Sequence, residues 1–238
     1  HLVGHLLDKF AASAQSVVLD PFCGAGTTPI ECKRQGLRCY GFEINPVLQF
    51  VGNQTLFWAF DVESLRQSLG RLKQRYQKRR RRLKGVSLAD SGLKIPTIHR
   101  VDRWWREDVL KDLLVLKKAI VSGRGENAEE VKFFQLGLLA VLVPELTNVS
   151  LGRLQLHFIN RDDDEISVWD SFEERILLMI DDLEGVSNLQ GSRQEIFLQN
   201  SAAVQPHDYD WRADIVITSP PYPNRYSYVW NTRPHLYM

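Results

Sequence analysis

Two regimes of hydrophobic and polar patterning alternate along this 238-residue chain. Near the start, the β-branched and apolar run Val17-Val18-Leu19 ends at once in Asp20-Pro21-Phe22-Cys23-Gly24-Ala25-Gly26. A short apolar run bounded by glycines predicts a buried strand that empties into a tight loop. Thr28-Pro29-Ile30-Glu31 follows with a helix-start signal: Thr28 as cap, Pro29 at the first helical position, and Glu31 reaching back to complete a capping box. Gly36 ends that helix, and Arg38-Cys39-Tyr40-Gly41-Phe42 predicts a second strand that closes at Glu43. Asn45-Pro46 starts another helix, running to about Phe60. Strand–helix alternation of this kind predicts the α/β class, with a doubly wound, mostly parallel sheet.

From Asp61 to about Gln190 the period changes. Val62 to Lys84, Trp104 to Ile120 and Ala128 to Leu142 carry helical spacing. Ser171-Phe172-Glu173-Glu174 predicts a capping box opening a helix that runs through Leu183 and stops at Gly185. Alternation then resumes with strands over Glu195–Gln199 and Ala213–Ile217, the second leading into Thr218-Ser219-Pro220-Pro221-Tyr222. The expected organisation is discontinuous: residues 1–60 form the first half of an α/β domain, 61–190 a helical insertion, and 191–238 the continuation of the first domain. Four strands are few for a doubly wound domain, and the chain opens on His1 rather than Met. The expectation is therefore truncation at both ends, with C-terminal strands missing.

Composition narrows the class. Hydrophobic residues make up 44% and charged residues 25%, the balance of a folded globular chain. The uncharged stretch from Phe133 to Pro144 is far shorter than the roughly 20 residues of a membrane helix. Cys23, Cys32 and Cys39 form no C-x-x-C pair, which excludes a zinc framework and predicts buried structural thiols in a reducing, cytoplasmic setting. The charge is lopsided. Nine cations and no acid lie between Arg71 and Lys84, and against a formal total of +1 they leave the rest of the chain at −8. Such a segment suits sequence-independent contact with nucleic-acid phosphates. Trp104-Trp105 and Phe133-Phe134 are expected in the core of the insertion.

The chemistry concentrates in loops that follow strands. Gly24-x-Gly26 is followed by Pro29 where a dinucleotide fingerprint wants a third glycine, and no Gly-Lys-Ser/Thr of a P-loop follows. What remains is a strand-end loop whose backbone approaches a ligand closely. Glu43, ending the next strand, stands where a carboxylate accepts hydrogen bonds from both ribose hydroxyls of an adenosine-type ligand. In Ser219-Pro220-Pro221-Tyr222 the paired prolines donate no backbone hydrogen bonds and hold the chain extended. The Pro220 carbonyl and the Ser219 hydroxyl are then two close acceptors suited to an exocyclic amino group, and Tyr222 offers a flat face for a base.

These motifs resemble those of the DNA amino-methyltransferases, the N4-cytosine and N6-adenine family, which use S-adenosylmethionine. Asp20-Pro21-Phe22-Cys23-Gly24-Ala25-Gly26-Thr27-Thr28 is similar to the family's cofactor loop, Gly41-Phe42-Glu43-Ile44-Asn45-Pro46 to its acidic turn, and Ser219-Pro220-Pro221-Tyr222 to its catalytic motif in the form typical of N4-cytosine enzymes. Gln199-Asn200-Ser201-Ala202 stands where the family often has Gly-Asp-Ala, with Asn200 in place of the adenine-contacting Asp. The resemblance implies a Rossmann-like methyltransferase fold. It also implies a cofactor site at Asp20, Pro21, Phe22, Gly24, Gly26, Thr27, Thr28, Glu43, Asn45 and Asn200, and catalysis by Ser219, Pro220, Pro221 and Tyr222. Asn224, Tyr226 and Tyr228, just beyond, are candidates for the base pocket. The expected function is methylation of cytosine N4 in DNA within a restriction–modification system, with a cognate endonuclease as partner. N6-adenine methylation, an RNA base amino-methyltransferase and a non-catalytic nucleic-acid-binding remnant stand as alternatives. C5 methylation is disfavoured, because it needs a nucleophilic cysteine, usually after a proline, and none of the three cysteines follows one.

Overall fold

A computed structural model describes residues 2–123, 127–152, 156–186, 192–205, 207–221 and 228–238. In chain order the elements are α1 (Leu2–Lys9), β1 (Val17–Asp20), α2 (Thr27–Arg34), β2 (Arg38–Glu43), α3 (Pro46–Thr55), α4 (Val62–Arg82), α5 (Val101–Trp104), α6 (Glu107–Val121), α7 (Ala128–Val141), β3 (Val149–Leu151), β4 (Leu156–Phe158), α8 (Val168–Val186), β5 (Gln194–Leu198), β6 (Ile215–Val216), α9 (Tyr228–Asn231) and α10 (Arg233–Tyr237). They divide into two compact units, one of His1–Ala59 with Gly185–Arg225, the other of Phe60–Glu184 with Tyr226–Met238. Among the described residues no helix is long and apolar enough to cross a membrane.

The first unit is a mixed α/β body on a parallel sheet of order β5-β2-β1-β6. Its registers pair Val18 with Cys39 and Ile215, and Gly41 with Ile196. Because side chains alternate along a strand, one sheet face collects Val18, Cys39 and Ile217, which bury against Leu7 of α1 and Cys32 of α2. Ile196 on the same face packs with Cys23 and Leu56. The other face carries Tyr40, Phe42 and Phe197, which pack against Tyr209 and Trp211; Tyr40 and Trp211 stack with ring centroids 4.2 Å apart at 14°, while Tyr209 meets Phe42 and Phe197 at tilted angles.

Polar side chains finish the sheet's margins. At the start of β6, Asp214 accepts from the Val17 amide through Oδ2 (2.8 Å) and donates its own amide to the Val17 carbonyl (2.9 Å), which fixes β6 beside β1. At the outer edge of β5, Asn53 of α3 donates to the Ile196 carbonyl (2.7 Å) and accepts from the Ile196 amide (2.9 Å), while Gln49 donates to the same carbonyl (2.9 Å). The carboxamide thus occupies the place of a further strand and blunts the edge.

Several helix boundaries differ from the local signals, each for a visible reason. α2 begins at Thr27 with Gly26 as its cap, at φ 93° and without a side-chain bond, so the glycine turn feeds directly into the helix. Thr28 is buried, and Glu31 accepts from Gln35 instead of completing a capping box. α3 stops at Thr55, whose carbonyl accepts from the Trp58 indole (2.8 Å). The expected Trp104–Ile120 helix is split by extended backbone at Trp105. α8 starts at Val168, ahead of the Ser171 box: Ser167 Oγ accepts from the Asp170 amide, and Glu173 is engaged by Lys73 and the Trp169 indole. It also runs through Gly185 to Val186.

In the second unit α4, α6, α7 and α8 contribute the core residues Leu65, Leu72, Leu113, Leu116, Phe134, Phe172, Ile176 and Ile180, and Trp104, Trp105 and Phe133 are buried as well. The antiparallel pair β3–β4 departs from the mostly helical expectation; three residues per strand are too few to establish a period of two. Trp230 of α9 lies 5.6 Å from Trp104, so the C-terminal residues 228–238 pack within this unit.

Candidate functional site: loops at one rim of the parallel sheet

Ligands of open α/β sheets bind beyond the carboxyl ends of the strands, where the strand order reverses. Here the chain steps outward from β1 through β2 to β5, then returns to place β6 on the other side of β1. The reversal lies between β1 and β6, and both strands run toward the same rim. Ile217 donates the last sheet hydrogen bond to the Leu19 carbonyl (3.0 Å). From this point Asp20 leads into the glycine loop and Thr218 into Ser219-Pro220-Pro221, so the two motifs leave the sheet side by side.

The glycine loop is built by its backbone. Asp20 is only 5% exposed and accepts from the Phe22 amide through Oδ1 (3.2 Å), folding the loop back over the strand end. The Cys23 amide donates to the Phe42 carbonyl (3.1 Å), and the Gly26 amide to the Cys23 carbonyl (2.9 Å). Gly24 (φ 55°) and Gly26 (φ 93°) occupy the left-handed region, which costs a side-chain-bearing residue about 1–2 kcal/mol. The two glycines do different work. A Cβ on Gly24 would meet nothing within 4 Å, whereas one on Gly26 would stand 3.0 Å from Ile196 Cδ1. Gly24 thus borders open space, and Gly26 allows α2, α3 and β5 to close together. Phe22 and Thr27 are exposed, Pro21 is half-buried and Thr28 is buried.

Glu43 ties the loop to its neighbour. Its Oε2 accepts from the Gly24 amide (2.9 Å) and its Oε1 from the Asn45 amide (2.7 Å). Each oxygen keeps a second lone pair for an incoming donor. Asn45 caps α3 by accepting from Val47 (3.0 Å), with Pro46 in the first turn. Next along the rim, the Gln199 amide donates to the Glu43 carbonyl (3.0 Å), and exposed Asn200 accepts from the Ala202 amide (3.1 Å), opening a 3-10 turn. Ser219, Pro220 and Pro221 are exposed. Tyr222, Asn224 and Tyr226 lie outside the described residues, as does the side chain of Tyr228.

The three cysteines are buried and free. Burial, then the carboxylates of Asp20 and Glu43, push the Cys23 thiol up to about 12. The Cys39 thiol is also pushed up, by its contact with Cys32 and then by burial. Neither is a thiolate near neutrality, so neither is a ready nucleophile.

The basic helix α4 divides its charge. Lys73 pairs with Glu173 (2.8 Å) and Arg80 with Asp112 (3.1 Å); Arg75 donates to the Ala119 carbonyl, Arg79 to Ser122 and Arg71 to Ser68. Lys78, Arg81, Arg82 and Lys84 are exposed and have no side-chain partner among the described residues. Sequence alone did not separate these two sets. It also missed Asp214, Asn53 and Gln49 as the groups that tie down β6 and the edge strand β5, since their partners lie more than 140 residues away.

Comparison with known proteins agrees with the motif geometry. A family model described as DNA methylase matches residues 2–49, which run from α1 through the glycine loop to the start of α3. The Type II methyltransferase M.MvaI of Kocuria varians is 26% identical over 242 residues, covering 93% of this chain. The chain spans about half, 51%, of that relative's length. No solved structure matches the chain significantly. By its motifs, by a family model and by a curated relative, the chain resembles the DNA amino-methyltransferases.

Proposed function

We propose that this chain transfers a methyl group from S-adenosylmethionine to an exocyclic amino group of a DNA base, cytosine N4 in particular, as a component of a restriction–modification system. The observation that carries the reading is the parallel pairing of β1 with β6, from which the glycine loop and Ser219-Pro220-Pro221 emerge at one rim. The name of the relative, a Type II methyltransferase, supports the same class of reaction. A modification role on cellular DNA implies residence in the cytoplasm and a cognate endonuclease.

The rim residues fit the cofactor. The open space at Gly24 would admit a ligand against bare backbone, and the Glu43 carboxylate, with one backbone amide on each oxygen, keeps acceptor capacity on both for the paired hydroxyls of a ribose. The first turn of α2, at the glycine loop, favours a carboxylate through its free amides. When bound, S-adenosylmethionine supplies an electrophilic methyl group on a sulfonium. The protein's remaining work is positional. The target base leaves the duplex, because its amino group is otherwise engaged in pairing. The Ser219 hydroxyl and Pro220 carbonyl accept hydrogen bonds from the two amino hydrogens, keeping the nitrogen lone pair available and aimed at the neighbouring loop, and the proton that the methylated nitrogen sheds passes to solvent, to which Ser219 is exposed. Tyr222 stacks on the base. Orientation of two reactants in this way is worth several orders of magnitude in rate. Lys78, Arg81, Arg82 and Lys84 supply phosphate contacts, which add affinity without sequence preference.

The test is nucleoside analysis. The protein is incubated with S-adenosylmethionine and unmodified duplex DNA, which is then digested and quantified by mass spectrometry. N4-methylcytosine is the expected product, falling at least 100-fold in Ser219→Ala. N6-methyladenine in its place overturns the base assignment while keeping the reaction class. Absence of any methylated nucleoside with cofactor bound overturns the reading.

A further inference from the structure

A groove of about 400 Å3 on the helical unit brings Lys94, Lys117 and Lys118 around a floor that includes Ile95, Leu114 and Leu236. No acid is among the residues lining it, and none of the three lysines has an ion pair or hydrogen bond among the described residues. Several other cations on this unit are paired, Arg66 with Asp181 and Glu184, Lys73 with Glu173 and Lys132 with Glu129, while Lys78, Arg81, Arg82 and Lys84, unpaired among the described residues, lie exposed along α4 and just past its end. Lys117 stands out further, since burial and then the charge of Lys94 hold its ammonium below the ordinary lysine range. Like charges gathered over a half-buried apolar floor are unfavourable in the empty protein, and an anion seated among them relieves both the repulsion and the desolvation. Tyr237, exposed on the same groove beside exposed Leu236, offers a flat apolar face. The chemistry that satisfies these features together is a phosphate joined to a planar heterocycle, of a size that pockets of this volume hold.

We infer that this groove binds a nucleotide, its phosphate held by Lys94, Lys117 and Lys118 and its base laid on Tyr237 above the apolar floor. Every residue involved belongs to the helical unit, so the inference stands apart from the methyl-transfer reading and is tested without measuring catalysis. The same chemistry arrives from two sources, a free mononucleotide or one unit of a nucleic-acid strand.

The experiment compares deoxyadenosine 5′-monophosphate, followed by calorimetry, with a fluorescein-labelled 12-nucleotide single strand, followed by anisotropy across a salt series. Replacing Lys94, Lys117 and Lys118 together by Gln is expected to weaken binding at least tenfold. It should also reduce the steepness of log K against log salt for the strand by about 2, at roughly 0.7 per phosphate contact. The corresponding triple Lys→Arg chain keeps affinity within about threefold, as does a Lys9→Gln/Lys132→Gln control. Tyr237→Ala weakens binding fivefold or more, the loss of one stacked base. If the mononucleotide shares this sensitivity, a free nucleotide suffices; if only the strand does, the ligand is a unit of nucleic acid. Binding by the Lys→Gln chain within twofold of the unsubstituted protein, with an unchanged salt dependence, overturns the inference. In the unsubstituted protein, saturation with either probe should also move the Lys117 Nζ resonance in nitrogen-15 spectra, and its failure to move with both probes overturns the inference equally.

Discussion

Gly52 lies inside α3, where helix propensity alone favours alanine by about 1 kcal/mol. Packing reverses that sign. An alanine Cβ there would stand 2.4 Å from Ile196 Cδ1 and 3.3 Å from the Ala25 carbonyl oxygen. Ile196 has little room to withdraw, being 1% exposed and packed with Cys23 and Leu56. The contact with Ala25 is to backbone, so relief there requires α3 to move away from the glycine loop. Overpacking a close-packed site costs about 1–3 kcal/mol. After the propensity gain, Gly52→Ala should be net destabilising by about 1 kcal/mol. Ile196→Val removes the offending Cδ1 at its own cost of about 0.5–1.5 kcal/mol. In that background Gly52→Ala should become neutral or stabilising, a coupling of about 1–3 kcal/mol between the sites. Urea unfolding of the four proteins measures the cycle, and calorimetry with S-adenosylmethionine should show weaker binding in Gly52→Ala that Ile196→Val restores. If Gly52→Ala stabilises by the propensity gain in both backgrounds, with zero coupling, α3 does not brace the glycine loop.

Three further outcomes follow from the same geometry. Glu43→Gln sets an amide nitrogen against one of two backbone donors; loss of one charge-assisted hydrogen bond should cost about 1–3 kcal/mol in thermal unfolding and at least tenfold in cofactor affinity by calorimetry. Cys23, with its thiol raised to about 12, should resist iodoacetamide at pH 8 while the protein is folded. Since the folded value exceeds the ordinary 9.0, the unfolded chain ionises first: this thiol's contribution to stability is intact below about pH 9 and fades as pH climbs toward 12, a slope that Cys23→Ala should flatten in chemical denaturation. Replacing Lys78, Arg81, Arg82 and Lys84 by Gln should lower the salt steepness of duplex-DNA binding by about 3–4, at roughly 0.9 per phosphate, while Lys73→Gln, whose ammonium already faces Glu173, leaves it nearly unchanged.

What was legible in the sequence is what local chemistry decides. Asn45-Pro46 starts α3 because a side-chain acceptor and a missing amide act within one turn. The glycine loop is legible because Gly24 and Gly26 take up positive φ next to a β-branched run. Where two local signals compete, the sequence misleads: Ser167-x-x-Asp170 and Ser171-x-x-Glu174 both resemble caps, and the helix starts at the first, where the Ser167 hydroxyl accepts from the Asp170 amide. The partition of charge along α4 was illegible because Asp112 and Glu173 come from α6 and α8. Asn53 and Gln49 are unremarkable polar residues of a helix until β5 arrives, more than 140 positions later, with an amide and a carbonyl to satisfy.

The central claim is that the loops after β1 and β6 form one reaction site. Hydrogen exchange followed by mass spectrometry tests it directly. S-adenosylmethionine alone should slow exchange across residues 22–28 and 43–47. Adding DNA in the presence of S-adenosylhomocysteine should extend that protection to residues 215–219. Cofactor protection that bypasses the glycine loop, or DNA protection that never reaches the end of β6, would contradict the account.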